Sequence, residues 1–267
     1  MTKIRADVLL VKKGLISSRE KAKRIIMEGN AFIGTQRIDK PGDLIEESEP
    51  LYVKDNSLEF VSRGGYKLKK IIDRYHIDLK DKICIDIGAS TGGFTDCMLQ
   101  YHAKKIYAID VGYNQLDYRL RMDDRVISME RTNIRHFDPS IITDKINFIT
   151  IDVSFISLEL VLPKARELLH ENGHLVALIK PQFEAGKGKV GKGGIVKDRR
   201  VHYEVLEKIF RLAKSLDFQV IDLTHSPITG TTGNIEFLIY LTLQEIEEEP
   251  KDLKTIVDIA HQELLKR

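Results

Sequence analysis

The chain has 267 residues, 42% of them apolar and 31% charged, which is enough to bury a real core and too little for three average domains. Its formal net charge is only +2, as in an ordinary soluble protein. Two lone cysteines (Cys84, Cys97) without CxxC spacing or nearby His at metal spacing imply no zinc site and fit a reducing cytoplasm, and no apolar run reaches the ~18–20 residues that cross a bilayer.

The charge is unevenly placed. Residues 1–40 carry ten Lys/Arg against four acids, a local excess of +6, and residues 41–60 carry six acids against Lys54 alone. A basic head on a near-neutral chain suits a polyanionic partner, or simply a solvated helical face. This N-terminus is charged and lacks a long apolar core, so no signal peptide is expected. Residues 4–14 predict a short helix stopped by Gly14. A second helix begins at Ser17 or Ser18 as N-cap and ends at Gly29-Asn30, with Ala22, Ile25 and Ile26 on one apolar face. Short strands follow in "AFIG", "QRI" and "LYVK". Residues 1–57 therefore predict a small α+β module, and 58–64 a linker to a second domain over 65–267.

Beyond the linker, helices and strands alternate. Helix "YKLKKIIDRYH" leads to strand "KICIDIG", helix "FTDCMLQYH" to strand "KIYAIDVG", and a helical piece at 116–121 to strand "RVISME". Strand "INFITIDVS", helix "LELVLPKARELLH" and strand "HLVALIKP" follow. Helix "RRVHYEVLEKIFRLAKSL" precedes "FQVIDLTHSP" and "NIEFLIYLTL". The pattern predicts an α/β fold with a parallel sheet covered on both faces. The last two strands, joined by a short loop, predict an antiparallel pair at one edge. The final helix, with Ile256, Ile259 and Leu264 in a stripe, would cover the sheet or meet another subunit, leaving a monomer or a weak dimer.

The loop after the first of these strands reads Gly88-Ala89-Ser90-Thr91-Gly92-Gly93-Phe94. A dinucleotide fingerprint needs glycine where Ser90 stands, so that ligand is disfavoured while the tight turn survives. Asp110 lies 22 residues beyond Gly88, at the next strand end, where a carboxylate accepts ribose hydroxyls. Glycine loop plus acidic strand end is the arrangement of S-adenosylmethionine sites, with Asp86 placed to meet the methionine amine. The bland alternative is a tight turn beside a solvated Asp110. A second stretch, Gly186 to Gly193, nearly matches a phosphate loop, but Gly193 replaces the hydroxyl residue that holds Mg²⁺. It reads as a mobile, positive loop that either touches substrate phosphate or is solvated.

The methyl acceptor follows from what is missing. The place of an Asn/Asp-Pro-Pro-aromatic loop for nitrogen methylation reads Asp152-Val153-Ser154-Phe155, and both cysteines lie inside elements. Oxygen remains, and a hydroxyl needs a base such as a lysine with lowered pKa. Asp152 and Lys180 end strands, Glu236 starts the last one, and Lys67 opens the helix before the first. The four could converge, although each alone is more often a solvated charge.

Two sets of motifs carry a family resemblance. "RADVLLVKKGLISSREKAKRIIMEGNAFI" resembles the alpha-L, or S4-type, RNA-binding module. "SRGGYKL", "DIGASTGGFTDCML", "IDVSFISL", "LIKPQFE" and "GNIEFL" resemble the TlyA family of haemolysin-named ribosomal RNA methyltransferases, whose catalytic part is FtsJ-like. The resemblance implies a Rossmann-like class I methyltransferase domain with a seven-stranded, mostly parallel sheet. It implies a Lys67, Asp152, Lys180, Glu236 tetrad without metal, and S-adenosylmethionine on Gly88–Phe94 and Asp110. It also implies 2'-O-ribose methylation of 16S and/or 23S rRNA at cytidine, in the cytoplasm and away from membranes. Lys180 would activate the hydroxyl, Asp152 would tune and orient Lys180, and Lys67 and Glu236 would place the ribose. Arg5, Arg19, Lys21, Lys23 and Arg24 would meet RNA phosphates. One departure stands out: where some members have Arg-x-Trp-Val between the domains, this chain has Leu58-Glu59-Phe60-Val61 and no tryptophan, which puts linker coupling in doubt. The rival readings are a pore-forming haemolysin, an RNA-docking factor that only senses S-adenosylmethionine, and a methyltransferase of small hydroxylated molecules.

Overall fold

A computed structural model describes residues 3–16, 18–34, 36–53, 59–186, 188–247 and 252–264. Ser17, the end of the expected module at 54–57, Leu58 and Lys187 lie outside the described residues. The chain divides into two compact units, Met1–Leu58 and Glu59–Arg267.

In the first unit, β1 (Lys3–Arg5) leads into α1 (Ala6–Lys12) and α2 (Arg19–Met27), followed by β2 (Ala31–Ile33), β3 (Gln36–Arg37), β4 (Leu44–Glu46) and β5 (Leu51–Val53). The helix expected over 4–14 starts only at Ala6, because Lys3–Arg5 pair antiparallel with Leu44–Glu46. Sequence reading missed that fourth strand. Ser18 caps α2, its side chain accepting from the Lys21 N–H. Both helices bury one face: Ala6, Leu9 and Leu10 meet Ala22 and Ile26 over Ala31 and Ile45. β3, β2 and β5 form a separate small sheet.

The second unit opens with α3 (Gly64–Tyr75) and β6 (Ile83–Ile87), then α4 (Gly93–Gln100), β7 (Lys105–Ile109), α5 (Tyr118–Arg121), β8 (Val126–Met129) and β9 (Ile146–Ile151). It continues through α6 (Leu162–Leu168), β10 (Leu169–Ile179), α7 (Pro181–Glu184), α8 (Arg199–Ser215), β11 (Gln219–His225), β12 (Phe237–Thr242) and α9 (Leu253–Leu264). The seven strands run in the order β11-β12-β10-β9-β6-β7-β8. Neighbours from β10 to β8 are parallel, while β12 is antiparallel to both β10 and β11. This is the expected mostly parallel sheet with an antiparallel pair at one edge.

The sheet is apolar on both faces. Ile85, Ile87, Ile149 and Ile151 point into one core, and Cys84, Phe148, Val176 and Leu178 into the other. Strands buried on both sides read as continuous apolar runs, which is why "ICIDI" and "INFITI" were recognisable. The final helix covers the sheet through Ile256, Val257 and Ala260. No helix among the described residues is long and apolar enough to cross a membrane.

Candidate active site

Parallel strands bring their carboxyl ends to one edge, where β/α proteins bind ligands. Gly88, Asp110, Asp152 and Lys180 directly follow β6, β7, β9 and β10, and Glu236 directly precedes the oppositely running β12. Topology alone therefore delivers five of the expected residues to one edge, and Lys67 joins them from the first turn of α3.

The four charged residues form one continuous chain. Lys180 Nζ lies 2.6 Å from Asp152 Oδ1, Lys67 Nζ lies 3.8 Å from Asp152 Oδ2, and Lys67 Nζ donates to Glu236 Oε2 at 2.7 Å. Lys180 directs its hydrogen bond to Ser154 Oγ at 2.9 Å, so its contact with Asp152 is chiefly Coulombic. Asp152 is the most open of the four, its side chain 21% exposed, against 11% for Lys180, 10% for Lys67 and 4% for Glu236. Two ammoniums alternate with two carboxylates, so the cluster sums to zero charge without leaving a buried ion unpaired.

Beside Asp152 opens a cleft of about 600 Å³, within the usual range of small-molecule sites. Ile87, Gly88, Ser90, Ile109, Asp110 and Asp152 contribute to its wall. Gly88 is required there: its φ is +83°, and a Cβ would stand 2.5 Å from the Asp152 carbonyl oxygen. Asp110 steadies the turn, accepting from the Ser90 N–H at 2.8 Å and the Gly112 N–H at 2.6 Å. Ser90 itself has φ +49°, a left-handed backbone at the very position where the dinucleotide pattern has glycine. Gly92 packs against Leu116 and Leu120, while Gly93 and Phe94 open α4 and are buried. Thr91 accepts the Asp117 N–H through its carbonyl.

Asp86 is placed differently from expectation. It is buried beneath the loop, not in the cleft wall, and accepts from Thr95 Oγ1 at 2.7 Å and Thr150 Oγ1 at 2.9 Å. Burial pushes its carboxyl up to about 6, against the opposing pull of those hydroxyls. Sequence reading also missed the far wall of the cleft, made by Val111, Gln115 and the Thr132–Arg135 stretch. Those residues sit in irregular backbone and a short 3-10 turn (Ile134–His136), so no periodicity marks them; the only available sign was their place just after a parallel strand.

The residues before α3 belong to this site's support. Phe60 is buried against Gly65, where any Cβ would lie within 2.2 Å of the ring, and the Val61 N–H donates to Asp96 Oδ2 at 2.6 Å. Ser62 Oγ abuts Gly93 at the start of α4. Phenylalanine thus fills an apolar slot between the helix that carries Lys67 and the helix that follows the glycine loop. Both cysteines are buried, and burial pushes the Cys84 thiol up to about 12 and the Cys97 thiol in the same direction, as befits inert core residues.

In the N-terminal unit, Arg5 and Arg19 of the expected RNA-contacting cations share one buried carboxylate. Arg5 grips the fully buried Asp7 at 3.0 and 3.1 Å, and Arg19 Nε reaches the same carboxylate at 3.0 Å. Arg24 lies 3.7 Å from Glu28, and Lys21 and Lys23 are exposed. Arg5 and Arg19 still leave about half of each side chain in solvent.

Residues 60–243 match the profile of the FtsJ-like methyltransferase family, and residues 4–51 that of the S4 domain. A Bacillus subtilis protein named as an rRNA methyltransferase, YqxC, is 51% identical over 98% of this chain and 95% of its own length. The 16S/23S rRNA (cytidine-2'-O)-methyltransferase TlyA of Mycobacterium tuberculosis is 36% identical over 96% of each chain. A solved structure from Streptococcus thermophilus, named as a haemolysin, superposes with a TM-score of 0.77 at 46% identity, covering 100% of this chain and 98% of that one. This chain belongs to the TlyA family of FtsJ-like methyltransferases, with an S4 domain ahead of its catalytic domain.

Proposed function

We propose that this methyltransferase moves the methyl group of S-adenosylmethionine to a ribose 2'-oxygen of ribosomal RNA, in the cytoplasm. The observation that carries the reading is the chain Lys180–Asp152–Lys67–Glu236 standing at the edge of the cleft. The TlyA relative is named for cytidine in 16S and 23S rRNA, and the same base in one or both RNAs is the substrate proposed here.

The cleft suits the cofactor. Ile109, Val111 and Ile134 offer apolar contact for a purine, and Asp110 retains lone pairs for ribose hydroxyls beyond the two backbone N–H groups it accepts. When bound, S-adenosylmethionine supplies an electrophilic methyl group on a sulfonium. The protein must then deliver an oxygen in line with that methyl. Lys180 Nζ is fixed by Ser154 and Asp152, and in its neutral form it accepts the hydroxyl proton. Lys67 also faces Asp152, so one carboxylate stands between the two lysines. Lys67 and Glu236 place the ribose, and positioning supplies much of the rate. Phe155, 91% exposed and leaning on Phe183 at 5.0 Å, offers a ring face to an unpaired base.

The S4 domain supplies phosphate contacts through Lys21, Lys23 and Arg24, with Arg5 and Arg19 adding their exposed faces. The test is direct. Purified protein, labelled S-adenosylmethionine and unmodified 30S and 50S subunits are incubated, and 2'-O-methyl groups are mapped. Label at a cytidine ribose in either subunit is expected. Bound cofactor with no transfer to either subunit overturns the reading.

A further inference from the structure

The stretch Gly188–Lys197 is unused by the site described so far. It lies in the chain between α7, which follows Lys180, and α8, and its far end bonds to Asn234 near Glu236. That end is pinned by Asn234, a fully buried side chain two residues before Glu236. The Asn234 amide accepts the Val196 N–H at 2.9 Å and donates to the Gly194 carbonyl at 2.8 Å and to Thr232 Oγ1 at 3.0 Å. Its own carbonyl accepts the Gly230 N–H at 2.9 Å, and Gly230 is so close to Glu236 that a Cβ there would lie 2.5 Å from Oε1. Both edges of one buried amide thus tie the stretch to the strand that carries Glu236.

The stretch itself is built to reach outward. Gly188, Lys189, Lys192, Gly193, Gly194 and Lys197 are all exposed. Two internal hydrogen bonds, from the Gly191 N–H to the Ile195 carbonyl and from the Gly194 N–H to the Gly191 carbonyl, fold it into a turn. Lys189 is engaged with Glu204 at 2.6 Å, whereas Lys192 and Lys197 face solvent. A cationic turn tied to the segment that carries a ribose-placing carboxylate suits a nucleic-acid strand, in which phosphates flank every ribose.

We propose that Gly188–Lys197 is an RNA-backbone arm of the catalytic domain. Lys192 and Lys197 contact phosphates next to the target nucleotide, and Asn234 is the positioning residue that holds the arm in register with Glu236. This rests on the RNA 2'-O-methylation reading above. The site would add affinity in the catalytic domain that does not depend on the S4 domain.

The experiment measures methyl transfer to ribosomal subunits, cofactor affinity by calorimetry, and the salt dependence of RNA binding. The variants are Lys192→Gln/Lys197→Gln and Asn234→Ala in the full chain. The double lysine variant is expected to raise KM for RNA several-fold and lower the salt slope by about two, with cofactor affinity unchanged. Asn234→Ala is expected to raise KM for RNA similarly. Wild-type KM and salt slope in the double variant overturn the arm, even if transfer itself is intact. An Asn234→Ala protein that is folded, keeps its RNA KM and loses only kcat overturns the coupling. Failure of the wild-type protein to methylate any RNA counts against the function proposed above, and the salt slope then still judges the arm by itself.

Discussion

Each unit of this protein surrounds a carboxylate with cations, and the two clusters behave as opposites. In the S4 domain, Asp7 is fully buried and gripped by Arg5 and Arg19. The Arg5 guanidinium beside it, with help from Arg19, holds its carboxyl below the usual carboxylate range despite burial. In the catalytic domain, Asp152 stands between Lys180 and Lys67 and is partly open to the cleft. Arginine keeps its proton under all physiological conditions, so the Asp7 cluster can hold a fold but cannot do acid–base chemistry. Lysine can give up a proton, and a carboxylate divided between two lysines leaves neither fully neutralised. The choice of cation and the opening to a cleft, more than the presence of ion pairs, separate a clamp from the proposed reactive centre.

The largest effect should come from breaking the reactive side. Lys180→Ala should lower methyl transfer by roughly 10²–10⁴-fold, the usual contribution of a positioned general base. S-adenosylmethionine affinity should stay within a few-fold of wild type, because Lys180 is not among the cleft-lining residues. Transfer at the normal rate would remove Lys180 from the role of base. Breaking the clamp should act on stability instead. Asp7→Ala leaves two guanidiniums facing a void, and the S4 domain should lose about 1–3 kcal/mol, read by denaturant unfolding of the full chain. Catalysis on a small RNA fragment at saturating concentration should be unaffected; a change in kcat would mean that the clamp reaches the active site.

The contrast also explains what could be read from sequence. The strands and the tetrad were legible because each strand end is marked by a charged or glycine residue at the close of an apolar run: Ile87-Gly88, Ile109-Asp110, Ile151-Asp152, Ile179-Lys180. Parallel topology then gathers those ends without further information. The Asp7 clamp was not legible, because one of four acids among ten cations looks like a solvated charge until α1 turns it inward. The Leu44–Glu46 strand was hidden for a related reason: it is three residues long, buries only Ile45, and is defined by a partner some forty positions earlier. Phe60 was read only as a missing tryptophan, and its packing on Gly65 shows an apolar ring in the corresponding place.

Asp86 sharpens the comparison, because it is buried and accepts from two threonine hydroxyls instead of ion-pairing with a lysine or arginine among the described residues. Burial pushes it up to about 6, from 3.8 in the unfolded chain. The folded protein therefore holds this proton more tightly. The stabilisation is complete below the unfolded value and is lost as pH rises through about 6. Asp7 runs the other way, since its depressed pKa gives stability above the unfolded value that is lost as acid protonates it. Asp86→Asn should remove the decline in stability between about pH 4 and 6, measured by denaturant titration at each pH, while leaving the acid limb in place. Identical pH profiles for variant and wild type would show that Asp86 is not the group titrating there.

The smallest effect concerns backbone. Among the described residues of the S4 domain, every left-handed position is a glycine: Gly14, Gly29 and Gly34. The catalytic domain instead puts side chains in that region, and two of them, Ser90 at +49° and Phe155 at +64°, line the cleft. A left-handed L-residue costs roughly 1–2 kcal/mol, and glycine's extra freedom in the unfolded chain returns about 0.4–1 of that. Ser90→Gly should therefore raise stability by only roughly 0–1.6 kcal/mol. The Ser90 N–H that Asp110 accepts should be kept, and S-adenosylmethionine affinity with it. Ser90→Val, with a branched side chain forced to the same φ, should cost about 1–2 kcal/mol more and loosen the turn. If Ser90→Gly folds normally yet binds the cofactor more than tenfold weaker, the serine hydroxyl is itself a ligand contact. If affinity is unchanged, the position asks only for a left-handed backbone, and the residue that set this loop apart from a dinucleotide fingerprint differs from it in side chain while keeping the turn that glycine would make.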